Sequence, residues 1–415
     1  MRYLLYFALC NVMSLVIHEG FAATSLTFKQ ALDIAYRNNP ELQAEMDKAR
    51  AMRGYFIQSG LYPNPQLTLT AENFGGSGSY SSYEAAETTA SVTQPIPLGN
   101  RLYYQQKATY GDYLVSLAQI EVYKATLYIN VGMTYVDALY ASQWHQVTKK
   151  LTRLNEEIVA AIDRRVKAGV GAELDLRLAQ IRLGDARIQE QKAGRDALAQ
   201  RAKLSRLLGD GLREERTLVD KGLPDVTLKW AELIKKLPQS PQLQQLQIQL
   251  KAKRATITAV KKAVWPNLNI QIGGRHFEDD GSNAIVASAN AEVPVFDRNQ
   301  GKILTAEAQY TQTVHMYQGT RLDIRQNVYT VFLQAQQSKY EASLVTNSLL
   351  PLARKSITLA QEGYKMGRYT YIELSLSLNT LFEEERHYQQ AHADFHKTLI
   401  QLTGLLGLHP TKESK

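Results

Sequence analysis

The spacing of apolar residues changes from a helical period to a strand-like period and back, in the same order in two halves of the chain. Residues 26–60 and 228–264 carry apolar side chains three and four positions apart, the spacing of an amphipathic helix. In each half, two runs of alternating apolar and polar residues follow, as expected for strands with one buried face. These runs cover 62–74 and 86–96 in the first half, and 265–277 and 284–296 in the second. We therefore predict one β-hairpin in each half.

A proline-rich joint connects each hairpin to the segment that follows it. The two copies are Gln94-Pro95-Ile96-Pro97-Leu98-Gly99-Asn100-Arg101 and Val293-Pro294-Val295-Phe296-Asp297-Arg298-Asn299-Gln300-Gly301. Because proline has no N–H group to donate, we expect the prolines to end strand pairing. The asparagine and glycine residues behind them favour a turn and the start of a helix.

Very long helical segments follow both joints. Residues 101–166 contain no proline and would measure about 100 Å as one helix. Residues 300–364 match them, with a kink expected at Pro351. Gly169 and Gly367 mark the ends of these segments, and shorter return helices are predicted at 173–208 and 371–406. Helices of this length need neighbours of equal length, so we expect coiled-coil packing.

The predicted organisation is a signal peptide at 1–22, structural repeats at 23–210 and 228–408, a linker at 211–227 and a tail at 409–415. The signal peptide is indicated by one arginine, a short apolar run and small residues before a cleavage point. The chain's one cysteine, Cys10, lies within it, in a context that does not favour lipid attachment. We therefore expect an exported protein whose mature chain has no thiol.

Charge and motifs exclude several classes of function. The net charge of +8 is dispersed along the chain, which favours a solvated helix surface over a nucleic-acid partner. No nucleophilic triad, phosphate-binding loop or paired catalytic carboxylates stand in a pocket-forming context, so we predict neither an enzyme nor a cofactor. No run of about 18 apolar residues would form a helical membrane span, so strands are the only elements expected to enter a membrane.

Aromatic residues near the ends of the first strand of each hairpin indicate a membrane segment. Tyr62 and Phe74 bound one strand, and Trp265 and Phe277 bound the other. About 12 residues at 3.3 Å each and a tilt near 45° span roughly 28 Å, close to the thickness of the hydrocarbon layer. The alternative is a soluble hairpin with one buried face. Export, the aromatic pairs and the duplication favour a membrane β-barrel.

Four strands cannot close a barrel, since the smallest membrane barrels need about eight. Unpaired edges are not tolerated in lipid, so several chains must share one barrel. Their long helices would continue below it as a hollow sheath. This architecture indicates a conduit rather than a catalyst.

Several motifs, in order and in duplicate, resemble the TolC family of outer-membrane efflux proteins. They are Asn39-Pro40-Glu41-Leu42, Pro63-Asn64-Pro65, the two joints and Gly363-Tyr364-Lys365-Met366-Gly367. The second joint resembles the heavy-metal branch, of the CzcC and CusC type. The resemblance implies a homotrimer in the outer membrane of a Gram-negative bacterium, with a twelve-stranded barrel above a twelve-helix periplasmic tunnel. It also implies a periplasmic adaptor protein and an inner-membrane pump of the resistance–nodulation–division type as partners, and passive conduction of heavy-metal cations.

Two acidic residues stand six positions beyond the glycines, Asp175 after Gly169 and Glu373 after Gly367. Closely spaced carboxylates collect cations, so we predict that both line a periplasmic gate. The alternative is that each simply favours the first turn of its helix. The resemblance adds Tyr364 and, one position early, Arg368 to the gate, although Leu376 stands where the family has a second acid. It also implies that the adaptor docks at the two glycine turns.

Two further interpretations remain open. His392 and His396 have the i,i+4 spacing of a metal-binding pair, but a tight site would slow the release of cargo, so no resident metal is expected. At the level of function, the alternatives are a multidrug or general export channel of the same architecture, and a periplasmic coiled-coil adaptor or scaffold.

Overall fold

The computed structural model describes residues 25–209, 216–225 and 228–408. The predicted signal peptide with Cys10, the predicted tail and residues 211–215 and 226–227 of the linker lie outside these residues. The first half contains β1 (Ser25–Leu26), α1 (Phe28–Asn38), α2 (Pro40–Ser59), β2 (Gln66–Glu72), β3 (Glu87–Pro97), α3 (Arg101–Lys167) and α4 (Glu173–Leu208).

The second half repeats this plan, with one break in its long helix. After β4 (Thr217–Leu218), it contains α5 (Trp230–Lys236), α6 (Pro241–Lys262), β5 (Asn267–Phe277), β6 (Asn283–Ala291), α7 (Gln300–Leu344), α8 (Leu350–Lys365) and α9 (Tyr371–Leu405). A π-helical segment, Val345–Leu349, joins α7 to α8. It lies just before Pro351, the expected kink, where the missing proline N–H disturbs the regular hydrogen-bond ladder. The matching helix α3 runs unbroken for 67 residues.

The two hairpins form one four-stranded antiparallel sheet in the order β2-β3-β5-β6. The two hairpins join through β3 and β5, where Thr89 pairs with Arg275 and Val92 with Ile272. The outer strands β2 and β6 each have one free edge. The helices attach at one end of the sheet, so the hairpin turns lie at the far end.

All four strands differ from their predicted bounds, β3 by only one residue at each end. The strands predicted at 62–74 and 284–296 are observed only as β2 and β6, since Pro63, Pro65 and Pro294 cannot donate ladder hydrogen bonds. As a result Tyr62 and Phe74 flank β2 rather than belonging to it. Likewise Trp265 precedes β5, although Phe277 is its last residue.

The expectation that the first joint ends strand pairing is wrong, because β3 continues through Pro95 and Pro97. The N–H of Leu98 points towards β5, where it reaches the carbonyl of Pro266 at 3.1 Å. By alternation, positions 95 and 97 face the opposite side, beyond the end of β2 at Gln66. The missing N–H groups of Pro95 and Pro97 therefore remove no ladder hydrogen bond there.

Three clusters of buried apolar residues hold the helices together along their length. One joins α1, α3 and α4 around Tyr128 and Tyr135, and another joins α5, α7 and α9. A third, far from the sheet, joins α3, α4, α8 and α9 around Ile162 and Tyr364. β1 pairs in parallel with β4 of the linker, a contact that the sequence pattern does not predict. Among the described residues, no helix is long and apolar enough to cross a membrane.

Candidate functional site

The two turns at the far end of the helices share one backbone geometry. Gly169 and Gly367 both adopt the left-handed conformation, each with φ +74°. The N–H of Gly169 donates to the carbonyl of Val166, and the N–H of Gly367 to that of Tyr364, as in a Schellman helix end. Glycine suits these positions because an L side chain is strained there. We call these turns the first tip and the second tip.

Arg165 joins the two tips. Its Nη1 donates to the carbonyls of Tyr364 and Lys365, both at 3.1 Å, and its Nη2 to the carbonyl of Val170 at 3.4 Å. The guanidinium carbon also lies 5.2 Å from the centre of the Tyr364 ring. The accepting carbonyls lie in the last turn of α8, and a cation favours this negative end of the helix dipole. The sequence prediction missed Arg165, although a basic residue in the last helical turn is a readable signal.

Asp175 lies beside this group. It is half-buried in the first turn of α4. Burial raises the pKa of the Tyr364 hydroxyl, and the charge of Asp175 raises it further. The same charge adds to the effect of burial on the pKa of Tyr371. The structure therefore brings Asp175, Tyr364 and Arg165 together at the tips.

Glu373 has a structural role that the gate prediction did not include. Its Oε2 accepts from the backbone N–H of Thr370 at 2.6 Å and from the Thr370 hydroxyl at 3.0 Å. The N–H of Glu373 donates in return to that hydroxyl at 3.4 Å. This is a capping box, which stabilises the start of α9. It favours the first-turn interpretation for Glu373, whose signature Thr-x-x-Glu is visible in the sequence.

The remaining tip residues are exposed. Arg368 contributes its backbone N–H to the carbonyl of Gly363 at 2.8 Å, and its side chain is exposed. Apolar side chains stand next to both glycines: Val170 is 65% exposed and Met366 is 66% exposed. Each tip thus presents a glycine turn and an apolar side chain to its surroundings.

The sheet has one apolar face and one polar face. The apolar face is exposed, with Leu67 at 81% and Ile285 at 88%. On the polar face, Gln271 donates to Ser91 Oγ at 2.7 Å and accepts from Ser288 at 3.0 Å. Tyr62, Phe74 and Trp265 are exposed around the sheet. An exposed apolar band flanked by aromatic residues is the outer surface expected of a membrane strand.

The polar face also carries an ion-pair cluster at the end remote from the helices, which the sequence did not predict. Arg275 donates to Glu87 Oε2 at 2.6 Å, to Glu72 Oε2 at 3.0 Å and to Thr89 Oγ1 at 2.9 Å. These residues come from β5, β3 and β2, up to 203 positions apart. Only the strand pairing reveals their proximity.

The two histidines contact different neighbours. His392 Nε2 lies 2.8 Å from the hydroxyl of Thr346 in the π-helical segment, and the ring of His396 stacks on Tyr140. Burial lowers the pKa of both imidazoles. Within the described residues, no three histidine, cysteine or acidic side chains are grouped to hold a metal.

A duplicated helix–hairpin–helix fold with a two-faced sheet and long paired helices defines a class of channel subunits. The outer membrane efflux protein family matches residues 31–210 and 234–408. The chain belongs to this family. It is an outer-membrane channel protein that extends into the periplasm, and it is not an enzyme. The predicted family, fold class and location are confirmed, and the adaptor alternative is wrong.

Named relatives span most of the chain. The cobalt-zinc-cadmium resistance protein CzcC of Cupriavidus metallidurans is 23% identical over 93% of this chain and 91% of its own length. The cation efflux system protein CusC of Escherichia coli O157:H7 is 23% identical over 85% of this chain and 80% of its own.

Solved structures show the same fold. A crystal structure of CusC aligns with a TM-score of 0.78 at 18% identity, covering 91% of both chains. A membrane protein from Pseudomonas aeruginosa aligns with a TM-score of 0.77 at 20% identity, covering 91% of this chain and 90% of its own.

Proposed function

We propose that three copies of this chain form an outer-membrane channel that passively conducts heavy-metal cations out of the cell. The cations would be delivered by an inner-membrane pump of the resistance–nodulation–division type through a periplasmic adaptor. The observation that carries this proposal is the pair of free edges on β2 and β6. Because strand direction alternates across the sheet, β6 of one copy would meet β2 of the next in antiparallel orientation.

The two faces of the sheet support this assembly. In a closed ring the apolar face with Leu67 and Ile285 would contact lipid, and the polar face with Gln271 would line the pore. The long helices α3 and α7–α8 would continue the wall into the periplasm. A closed ring pairs the free edges and places the exposed apolar face in lipid, as a membrane requires.

The cargo is supported by the names of the relatives, which include metal-resistance proteins such as CzcC and CusC. A strain that lacks this chain should become sensitive to zinc, cadmium, cobalt, copper or silver and regain resistance when the gene is restored. A panel of drugs provides the comparison. Sensitivity to drugs alone would contradict the metal cargo and favour a multidrug channel.

For the gate we propose Asp175, with Tyr364 and Arg165, as the group that controls the periplasmic opening. Glu373 contributes its exposed carboxylate in addition to capping α9. In planar bilayers, the Asp175→Ala/Glu373→Ala double variant should show a changed single-channel conductance and a changed dependence of conductance on pH. Unchanged values of both would contradict the gate. Because both the gate and the first-turn alternative predict a loss of stability, the conductance distinguishes the two, and thermal unfolding of the same variant measures the capping contribution separately.

For the adaptor we propose docking at the two tips, where Val170 and Met366 are exposed beside Gly169 and Gly367. Replacing either apolar residue by aspartate should weaken binding of the adaptor without changing the conductance of the isolated channel. Unchanged adaptor binding in the Val170→Asp/Met366→Asp variant would contradict docking at the tips.

A further inference from the structure

The four strands of the sheet contain very few ionisable side chains. Among all residues of β2, β3, β5 and β6, these are Glu72, Glu87, Arg275 and His276. His276 follows Arg275 directly and therefore points to the opposite face. The other three lie on the polar face, where Arg275 contacts both Glu72 and Glu87. Every fixed charge on the polar face of the strands is thus concentrated in one cluster, which we call the rim cluster.

The rim cluster lies at the end of the sheet remote from the helices. Glu72 pairs with Glu87, and Glu87 with Phe277, in the outermost rung that all three strands share. Arg275 lies two residues further in, opposite Thr89. The rest of the polar face carries neutral groups, such as Gln271, Ser288 and Asn269.

The guanidinium is held in place while one carboxylate stays accessible. The side chains of Arg275 and Glu87 are 29% and 23% exposed, whereas Glu72 on the edge strand is 48% exposed. Two carboxylates and one guanidinium leave one net negative charge per chain. An ion that passes this rung meets a fixed negative ring with no other charge on the surrounding strand wall to offset it.

We propose that the rim cluster sets the preference of the channel for cations at its outer mouth. Arg275 limits this preference by neutralising one of the two carboxylates, and Glu72 supplies the charge that faces the pore. The inference rests on the proposed trimeric channel, in which three copies of the cluster form one ring.

The test is the zero-current potential of purified channels in planar bilayers under a KCl gradient. Arg275→Gln removes the positive charge and should raise the ratio of cation to anion permeability by about twofold. Glu72→Gln removes the exposed carboxylate and should lower the ratio by about twofold. The Glu72→Gln/Arg275→Gln double variant has the original net charge and should return to the wild-type ratio.

Two controls distinguish a role of the rim cluster in ion selectivity from a role in stability alone. His276→Asp adds a carboxylate at the same height on the opposite face and should leave the ratio unchanged. Raising the salt from 0.1 M to 1 M shortens the screening length from about 10 Å to about 3 Å, so the differences between variants should shrink. If the cluster only stabilised the fold, the substitutions would alter the heat stability of the channel at both salt concentrations and leave the ratio of cation to anion permeability unchanged.

The outcomes distinguish the two levels of the proposal. Conducting variants whose permeability ratios all equal that of the wild type would overturn the role of the rim cluster and leave the channel intact. A wild-type protein that shows no conductance would overturn the proposed channel itself. If Arg275→Gln fails to fold, Glu72→Gln decides the question, because its half-exposed side chain lies on an edge strand.

Discussion

Arg165 is the residue on which the geometry of the tips depends most directly. It contacts the ends of both long helical segments, and its removal would leave the carbonyls of Tyr364 and Lys365 without their charged donor. We expect Arg165→Ala to destabilise the second tip by about 1–3 kcal/mol, since hydrogen bonds to a charged group have this strength. Faster hydrogen exchange at the amides of Gly367 and Arg368 would report this change.

Arg177 provides the matched control for Arg165. Its salt bridge with Glu173 lies on the surface of α4, where both side chains are 63% exposed. Because such exposed pairs contribute at most about 1 kcal/mol, Arg177→Ala should leave exchange at Gly367 near the wild-type rate. Equal effects of the two substitutions would contradict the bridging role of Arg165.

The buried histidines predict a dependence of stability on pH. Burial lowers the pKa of His392 and His396, so the folded chain keeps them neutral at a pH where the unfolded chain already binds protons. Their contribution to the free energy of unfolding is therefore present above the unfolded value of about 6.5 and is lost as the pH falls below it. The negative charge of Asp220 opposes the shift but does not reverse it.

Thermal unfolding at pH 7.5 and 5.5 measures this contribution. His396→Gln should lose less stability on acidification than the wild type, by up to about 1.4 kcal/mol for each pH unit that the pKa is lowered. His315→Gln, on the exposed surface of α7, serves as the control and should follow the wild type. Burial raises the pKa of Asp394, which titrates in the opposite sense, so only the difference between variants isolates the histidine.

At the scale of elements, the glycine turns fix where the helices end. Gly367→Ala places a side chain in the left-handed region and should cost about 1–2 kcal/mol of stability. Gly319→Ala, in open space on α7, should instead stabilise by up to about 1 kcal/mol because alanine has the higher helix propensity. Urea unfolding of both variants compares them, and a stabilising Gly367→Ala would contradict the assigned turn.

Much of the element order follows from the sequence because the signals are local. The period of apolar residues predicts α3, which is observed at Arg101–Lys167, and the two glycines mark the tips. The partners of Arg165 and Arg275 could not be predicted, since each depends on pairing between elements nearly 200 residues apart. Glu373 differs, because its capping box with Thr370 is a local signal in the sequence. The gate prediction relied instead on the spacing of the acidic residues behind the glycines.

At the scale of the whole molecule, the free edges of β2 and β6 predict a closed ring of chains, and the proposed trimer sets its number at three. Cys10, the one cysteine of the chain, lies within the predicted signal peptide, so a chain processed there would offer no competing thiol. Pairs of cysteines, one on β2 and one on β6, should therefore yield oxidised species of two and three chains, with three as the largest. Variants with a single cysteine are the control and should form no species larger than two chains. A ladder that continues beyond three chains would contradict a closed trimer.

The two prolines in β3 have a consequence for biogenesis. Pairing of β2 with β3 ends at Gln66, and beyond it the segment before β2 contacts β3 through the Gln94 side chain, which donates to the carbonyl of Pro63 at 3.0 Å. Ordinary backbone N–H groups on this unpaired side of β3 could donate to another strand. Pro95 and Pro97 have no N–H groups to donate. This stretch of β3 therefore cannot form ladder hydrogen bonds with an incorrect strand before the neighbouring chains assemble. The two prolines thus disfavour incorrect strand pairing at this side of β3. Assembly is directed instead to the free edges of β2 and β6.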